Sequence, residues 1–345
     1  MPNDPTSHER VFTRRTVLKS TAVVGTAAVG TAAAAYLVSA DPVTGEPAQA
    51  VAPGESVDIP TLPDGPEATP AARAFFRSFF TAKTRHAIDD THAHFHPERM
   101  YYADAVLGWA WPSNSDLRGV WETYMPQWPA EARSYPTRIL GDTDSAIVLM
   151  TNTPELFGGE IRAIAIIDLE DGKIVRWVDY WDGRNFGADT VAGMRTPAEQ
   201  FPELGEQTVR RGTPHRIDAA ARRLQDAFER EDVNEAEALF SYDAVFEDMT
   251  LRTAIRGPAA ITRYLQRALA DLPYGRGTTV RHTVGSDQAG GYEWGNDGTP
   301  APVPRGAVAL ELDSDGAITR LTTVWDGSLL SDEAITALTV HAAER

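Results

Sequence analysis

The feature that most constrains this chain is an internal repeat. The segment IIDLEDGKIVRWVDYWDG at 166–183 aligns without a gap with LELDSDGAITRLTTVWDG at 310–327. The offset of 144 places Asp171-Gly172 on Asp315-Gly316, Arg176 on Arg320, and Trp181-Asp182-Gly183 on Trp325-Asp326-Gly327. Each segment reads as a hairpin, two apolar β-rich runs joined by an Asp-Gly turn. The same offset pairs Asp104 in YYADAVL with Asp248 in FEDMTL, provided that insertions and deletions in between cancel. The first copy is expected to carry an extra WAWPSN before its middle helix, and the second a longer GGYEWGNDGTPAP loop before its last hairpin. A chain of 345 residues is also what two domains of roughly 150 residues predict.

Each copy runs through the same elements. Helical patterns at 71–83 and 216–231 come first, then short helices at 85–95 and 233–240. A strand ending in Asp104 or Asp248 follows, then a middle helix at 115–125 or 257–270, then a run of strands. Helices followed by a run of strands indicate α+β architecture rather than a parallel doubly wound sheet. The expected organisation is a signal at 1–40, a Pro/Gly-rich linker at 41–70, a first domain at 71–195, a linker at 196–214 and a second domain at 215–345.

The first forty residues read as an address. Arg14-Arg15 in TRRTVLK precede an uncharged Ala-, Gly- and Thr-rich stretch, Ser20 to Ala40, ending in Val38-Ser39-Ala40. This resembles a twin-arginine export signal, with Val17 where that pattern prefers Phe. The resemblance implies passage through the twin-arginine export machinery, a location outside the cytoplasm, and no stable membrane association after cleavage near Ala40. The competing reading is a retained anchor, since the stretch is long enough to span a bilayer. Proteins on this route leave already folded, which suits a chain with no cysteine. Removing a segment of net charge +2 takes the formal charge from −17 to −19, so the exported part is the acidic one. Such acidity argues against nucleic acid as a partner. Only Lys19, Lys83 and Lys173 of the 32 basic residues are lysines, a bias that suggests a GC-rich genome.

The element order, and LFSYDAVFEDMTLRTAIRGPAAITRYL at 239–265 in particular, is similar to the nuclear-transport-factor-2-like (NTF2-like) superfamily and its SnoaL-like cyclase and ketosteroid-isomerase-like branch. The resemblance covers about 71–190 and 215–340. It implies two cone-shaped domains, each a curved antiparallel sheet wrapped by helices around an apolar pocket. Members of the family commonly pair through their sheets, so two copies on one chain would form a pseudo-dimer. In the isomerase branch a general-base Asp ends the first strand, where Asp104 and Asp248 stand. No cofactor or metal is implied. Fold alone does not settle function, because this fold hosts many chemistries and inert binding modules.

The remaining candidates come with competing readings. Asp182 is kept as an acid/base group because SnoaL-like cyclases use an acid from this sheet. Its retention as Trp-Asp-Gly in both copies favours an architectural role, with Asp-Gly making a turn and Trp covering the sheet. On the last strand, alternation puts Arg176, Val178, Tyr180 and Asp182 on one face and Trp177, Asp179 and Trp181 on the other. The run His92-x-His94-x-His96 is open to three readings: metal ligands, an acid/base partner for Asp104 (His96), or surface and capping histidines. Aromatics are concentrated in the first copy. Either they build core, or Trp109, Trp111, Tyr124, Trp128 and Tyr180 wall a pocket, with Trp109 and Trp111 on a lid-like loop. The leading expectation is an exported, cofactor-independent enzyme using Asp104 as base, with Tyr102, His96 or Asp182 as proton partner and Asp248 as a second site. It would carry out isomerisation, cyclisation, elimination or hydration of an apolar or aromatic carbonyl compound. The alternative is a non-catalytic extracytoplasmic binding protein.

Overall fold

The computed structural model describes residues 59–343 apart from 211, 213–214 and 297–300. The export signal and most of the expected linker at 41–70 lie outside the described residues. No helix among the described residues is long and apolar enough to cross a membrane.

Helix α1 (Pro70–Thr84) starts where it does for local reasons. The Thr69 side chain accepts a hydrogen bond from the Ala72 amide, and Pro70 occupies the first turn, where its missing N–H is no loss. Its buried stripe is Ala72, Phe76, Phe79, Phe80 and Lys83, at helical spacing. Helix α2 (Ile88–His92) follows, then strands β1 (Tyr101–Asp104) and β2 (Trp109–Trp111), helix α3 (Asn114–Tyr124), and strands β3 (Ser134–Gly141) and β4 (Ser145–Asn152). A short α4 (Pro154–Phe157), the hairpin β5 (Ile161–Glu170) and β6 (Lys173–Trp181), and α5 (Ala188–Met194) complete the first domain. The β5–β6 turn holds Asp171 at φ 53° and Gly172 at φ 70°, both left-handed as a primed two-residue turn requires.

The second domain repeats the order: α6 (His215–Glu229), α7 (Val233–Glu237), β7 (Phe240–Asp248), β8 (Thr253–Arg256), α8 (Pro258–Ala268), β9 (Thr278–Gly285), β10 (Ala289–Asn296), β11 (Arg305–Leu312), β12 (Ile318–Trp325) and α9 (Asp332–Val340). The sheets run β2-β1-β6-β5-β4-β3 and β8-β7-β12-β11-β10-β9. The expectation of wholly antiparallel sheets needs one correction. β1 pairs with β6, and β7 with β12, in parallel.

The repeat is also more regular than the sequence suggested. WAWPSN is no insertion: Trp109–Trp111 forms β2, the counterpart of β8, paired along β1. The segment before the second hairpin is not longer either, because GGYEW is part of β10. Strands β3, β4 and β5 begin 144 residues before β9, β10 and β11, and α1 and α2 lie 145 before α6 and α7. The copies therefore differ by one residue between α2 and Asp104.

The two sheets pack face to face as a pseudo-dimer. Ile147, Leu149, Ile164, Ile166 and Val178 of the first meet Val284, Ala307, Ala309 and Val324 of the second in one buried cluster. Near the pseudo-axis Gly141 and its counterpart Gly285 have φ of +117° and +125°, and a Cβ on Gly141 would lie 3.2 Å from the Gly285 Cα. A residue meeting its own copy is the signature of an isologous two-fold contact. Within the interface Arg176 and Glu293, both 0% exposed, pair at 2.6 Å. Arg176 also donates to the Leu204 carbonyl at 2.8 Å.

A candidate cavity in the first domain

Each domain closes its first strand with the same clasp. In the first domain the amides of Val106 and Leu107 donate to Asp104 Oδ1 at 2.9 and 2.8 Å, and the Trp181 indole N–H donates to Oδ2 at 2.9 Å. In the second, the Leu251 amide donates to Asp248 Oδ1 at 2.9 Å, and the Trp325 indole and the Tyr274 hydroxyl both donate to Oδ2 at 3.1 Å. The shared Trp of each Trp-Asp-Gly thus reaches across to the shared Asp at the strand end.

What surrounds the clasp differs. In the second domain the cone is filled. Tyr264, Tyr274, Tyr292, Trp294 and Trp325 are buried and Asp248 is 0% exposed. In the first, two positions on the cavity wall are smaller than their counterparts: Val120 stands for Tyr264 and Met150 for Trp294, each at the offset of 144. Both line a cavity of about 620 Å³. That volume suits a small apolar molecule. Its walls include Trp109, Trp111, Trp121, Tyr124, Trp128 and Trp181, and Asp104, Tyr102, Asp179, Lys83 and Asn152 supply polar atoms.

Asp104 is half-buried, with part of its surface on the cavity. Burial pushes its carboxyl up to about 7, against the lowering effect of the Leu107 amide and the Trp181 indole. The same cause pushes sealed Asp248 up to about 6. Asp179 also sits above the usual carboxylate range, chiefly through burial. Its oxygens are engaged: the Tyr102 hydroxyl donates to Oδ2 at 2.5 Å and the Trp177 indole to Oδ1 at 2.7 Å. Tyr102 stacks on Trp177, with ring centroids 5.8 Å apart and planes 9° apart. Its phenol is raised well above its ordinary value by burial and the adjacent Asp179. Lys83 is held down at about 8 by burial, with Asp179 opposing.

Of the residues singled out from sequence, Asp104, Tyr102, Trp109, Trp111, Tyr124 and Trp128 are brought together around the cavity. Trp109 and Trp111 belong to an edge strand rather than a mobile lid, and the Trp109 indole donates to the Met194 carbonyl at 3.1 Å. Four candidates are placed elsewhere. His96 accepts from the Glu98 and Arg99 amides at 3.2 and 3.0 Å and so caps a turn. Tyr180 lies on the opposite face of β6, where its hydroxyl donates to Glu293 Oε1 at 2.8 Å across the domain interface. Asp182 caps the turn after β6 and pairs with Arg184 at 2.7 Å. Asp248 is sealed in the second core.

The Gly of each Trp-Asp-Gly has a separate reason. The Gly183 amide donates to Asp326 Oδ1 at 3.1 Å, and a Cβ on Gly183 or Gly327 would lie 2.9 Å from a carboxylate oxygen of the other copy's Asp. The two turns pack against each other between domains, which explains the motif without catalysis.

Sequence reasoning missed Lys83 and Asp179. Alternation on β6 sets Asp179 with Trp177 and Trp181, on the face opposite Asp182. Lys83 was legible as a lysine on the apolar stripe of α1. Among the described residues no group of three or more His, Asp or Glu is placed to hold a metal ion. The neighbouring histidines point elsewhere: His92 bonds Asn114, and His94 Nδ1 lies 2.9 Å from the Asp90 carbonyl.

The strand order, the helices laid on each sheet and the duplicated clasp define a chain of two α+β domains built on one plan. Residues 221–321 match the SnoaL-like domain family model. No curated protein matches the chain. Among solved structures, an NTF2-like protein of unknown function from Cytophaga hutchinsonii is similar at 13% identity, covering 33% of this chain and 93% of that one, with a TM-score of 0.28. A steroid delta-isomerase from Pseudomonas aeruginosa is similar at 15% identity, covering 38% and 90%, with a TM-score of 0.29. A computationally designed 17-OHP binder is similar at 17% identity, covering 34% and 97%, with a TM-score of 0.26.

Proposed function

We propose that the first domain is an exported, cofactor-independent acid/base catalyst acting on an apolar or aromatic carbonyl compound, and that the second domain is its structural partner. The observation that carries this reading is Asp104: a carboxylate on the wall of an aromatic cavity, lifted to about 7. A base must be ionised to accept a proton and weakly solvated to want it, and a group near neutrality meets both conditions at physiological pH. The hydrogen bonds from Val106, Leu107 and Trp181 hold the carboxylate in place. The ligand would lie between the ring walls with its acidic C–H toward Asp104. Isomerisation, cyclisation, elimination or hydration would each begin or end with such a transfer. Export rests on the Arg14-Arg15 segment alone.

A second reading has its own observation. The same clasp holds Asp248 at 0% exposure among buried Tyr264, Tyr274 and Trp325, so the clasp is useful as architecture. On that reading Asp104 merely closes a strand, and the domain binds an apolar compound unchanged. Incubating the mature protein with an extracted metabolite pool, followed by mass spectrometry, separates the two. Depletion of a compound with appearance of a product, absent for Asp104→Asn, supports catalysis. A compound retained unchanged by both proteins supports binding alone.

A further inference from the structure

Lys83 has surroundings that a structural lysine does not need. It lies on the apolar stripe of α1 and is 6% exposed, with its remaining surface on the cavity. Its Nζ has one hydrogen bond among the described residues, a long one of 3.5 Å to Asn152 Oδ1. That oxygen already accepts from the Ser134 hydroxyl at 2.6 Å. No carboxylate oxygen of the described residues lies within 4.0 Å of Nζ. Asp179, the acid that acts on it, has both oxygens taken by Tyr102 and Trp177. In the sealed second domain the matched position on α6, at the offset of 145, is Phe228. Elsewhere this chain uses arginine almost without exception, and arginine cannot act as an amine nucleophile. One of its three lysines is in the cavity.

We infer that Lys83 is a covalent catalytic residue, whose amine condenses with the carbonyl carbon of an aldehyde or ketone held in the cavity. The step is balanced without any co-reactant. The neutral amine gives its electron pair to the carbonyl carbon, and the carbonyl oxygen takes up a proton. The resulting carbinolamine loses that oxygen as water after a second proton transfer, leaving a protonated C=N bond. One amine, one carbonyl and one proton become one iminium and one water. Asp104, near half-protonation at neutral pH, is an acid lining the same cavity. The iminium then withdraws electrons from the adjacent carbon, so a weak carboxylate base suffices to remove its proton. This inference rests on the carbonyl-substrate reading above and deepens it. Burial supports the nucleophile, because a lysine held at about 8 carries roughly 200-fold more neutral amine at pH 7 than an ordinary one.

The test is reductive trapping on the full-length protein. 1-Naphthaldehyde, flat and apolar, is added at pH 7 with sodium cyanoborohydride, and the adduct is mapped by peptide mass spectrometry. Half-buried Lys173, which lies away from the cavity and whose Nζ donates to the Ala93 carbonyl, is the internal control. The expected result is one naphthylmethyl group on Lys83, formed at least about 10-fold faster than on Lys173. The adduct should be suppressed in Met150→Trp, which fills the cavity. Labelling confined to Lys19, Lys173 or the amino terminus, or equal rates at Lys83 and Lys173, would overturn the inference. Asp104→Asn separates this from the functional reading. If Lys83 is not labelled while product formation still depends on Asp104, only the covalent step falls. If Lys83 is labelled but no turnover depends on Asp104, only the acid/base reading falls.

Discussion

Replacing Asp104 by Asn should remove a pH dependence from folding, and the size follows from the site. Asp104 is lifted from 3.8 to about 7 because its ionised form is poorly solvated among Trp walls. A folded-state pKa above the unfolded one means that the native protein holds the proton more tightly. Stability from this group is therefore greatest at low pH and is lost as pH rises from about 4 through 7. Between pH 5 and pH 8 the loss works out at about 2.5 kcal/mol. The Asn variant cannot ionise, so it lacks this slope. It loses something at every pH, because its NH₂ must face a hydrogen-bond donor, a penalty of about 1–2 kcal/mol. The variant should be the less stable protein at pH 5 and equal or more stable at pH 8. Urea denaturation of both proteins at the two pH values, read as a difference of differences, isolates Asp104 from Asp248 and other groups titrating in the same direction. Parallel pH slopes for the two proteins would refute the reasoning.

Met150→Trp transplants the second domain's solution, Trp294, into the first. Binding of a neutral apolar dye such as Nile red, followed by fluorescence, should weaken at least about 10-fold while circular dichroism stays unchanged. Arg176→Met strands Glu293 as a buried charge between the sheets and should destabilise the chain by about 3–5 kcal/mol in denaturant unfolding. Adding Glu293→Gln should recover part of that loss. Asp248→Asn should lower stability by about 1–3 kcal/mol, because a buried donor loses its acceptor, yet leave dye affinity untouched.

The repeat made most of this fold legible. Trp-Asp-Gly at an offset of 144 found both last hairpins, and the paired Asp104 and Asp248 found both first strands. What it could not carry was which face of a strand turns inward. Arg176, Tyr180 and Asp182 share a face by alternation, but whether that face meets ligand or a second sheet depends on a packing 117 residues away, at Glu293. Copy comparison also misled in one place. Trp109 and Trp111 looked inserted because β8 has no aromatics, although the two strands are counterparts. Part of the difference was written in the sequence as Val120 and Met150 against Tyr264 and Trp294. Those pairs become visible only when the copies are aligned without the assumed insertions.

The central claim is that Asp104 removes a proton from an apolar carbonyl compound held in the first domain. Hydrogen–deuterium exchange at the α-carbon of 2-tetralone in D₂O, followed by NMR with catalytic amounts of protein, tests it without knowledge of the natural substrate. The account expects protein-dependent exchange whose rate rises with pH through an apparent pKa near 7, falls at least about 100-fold in Asp104→Asn, and is unaffected by Asp248→Asn. Exchange no faster than in buffer, or unchanged by loss of the Asp104 carboxylate, would contradict it.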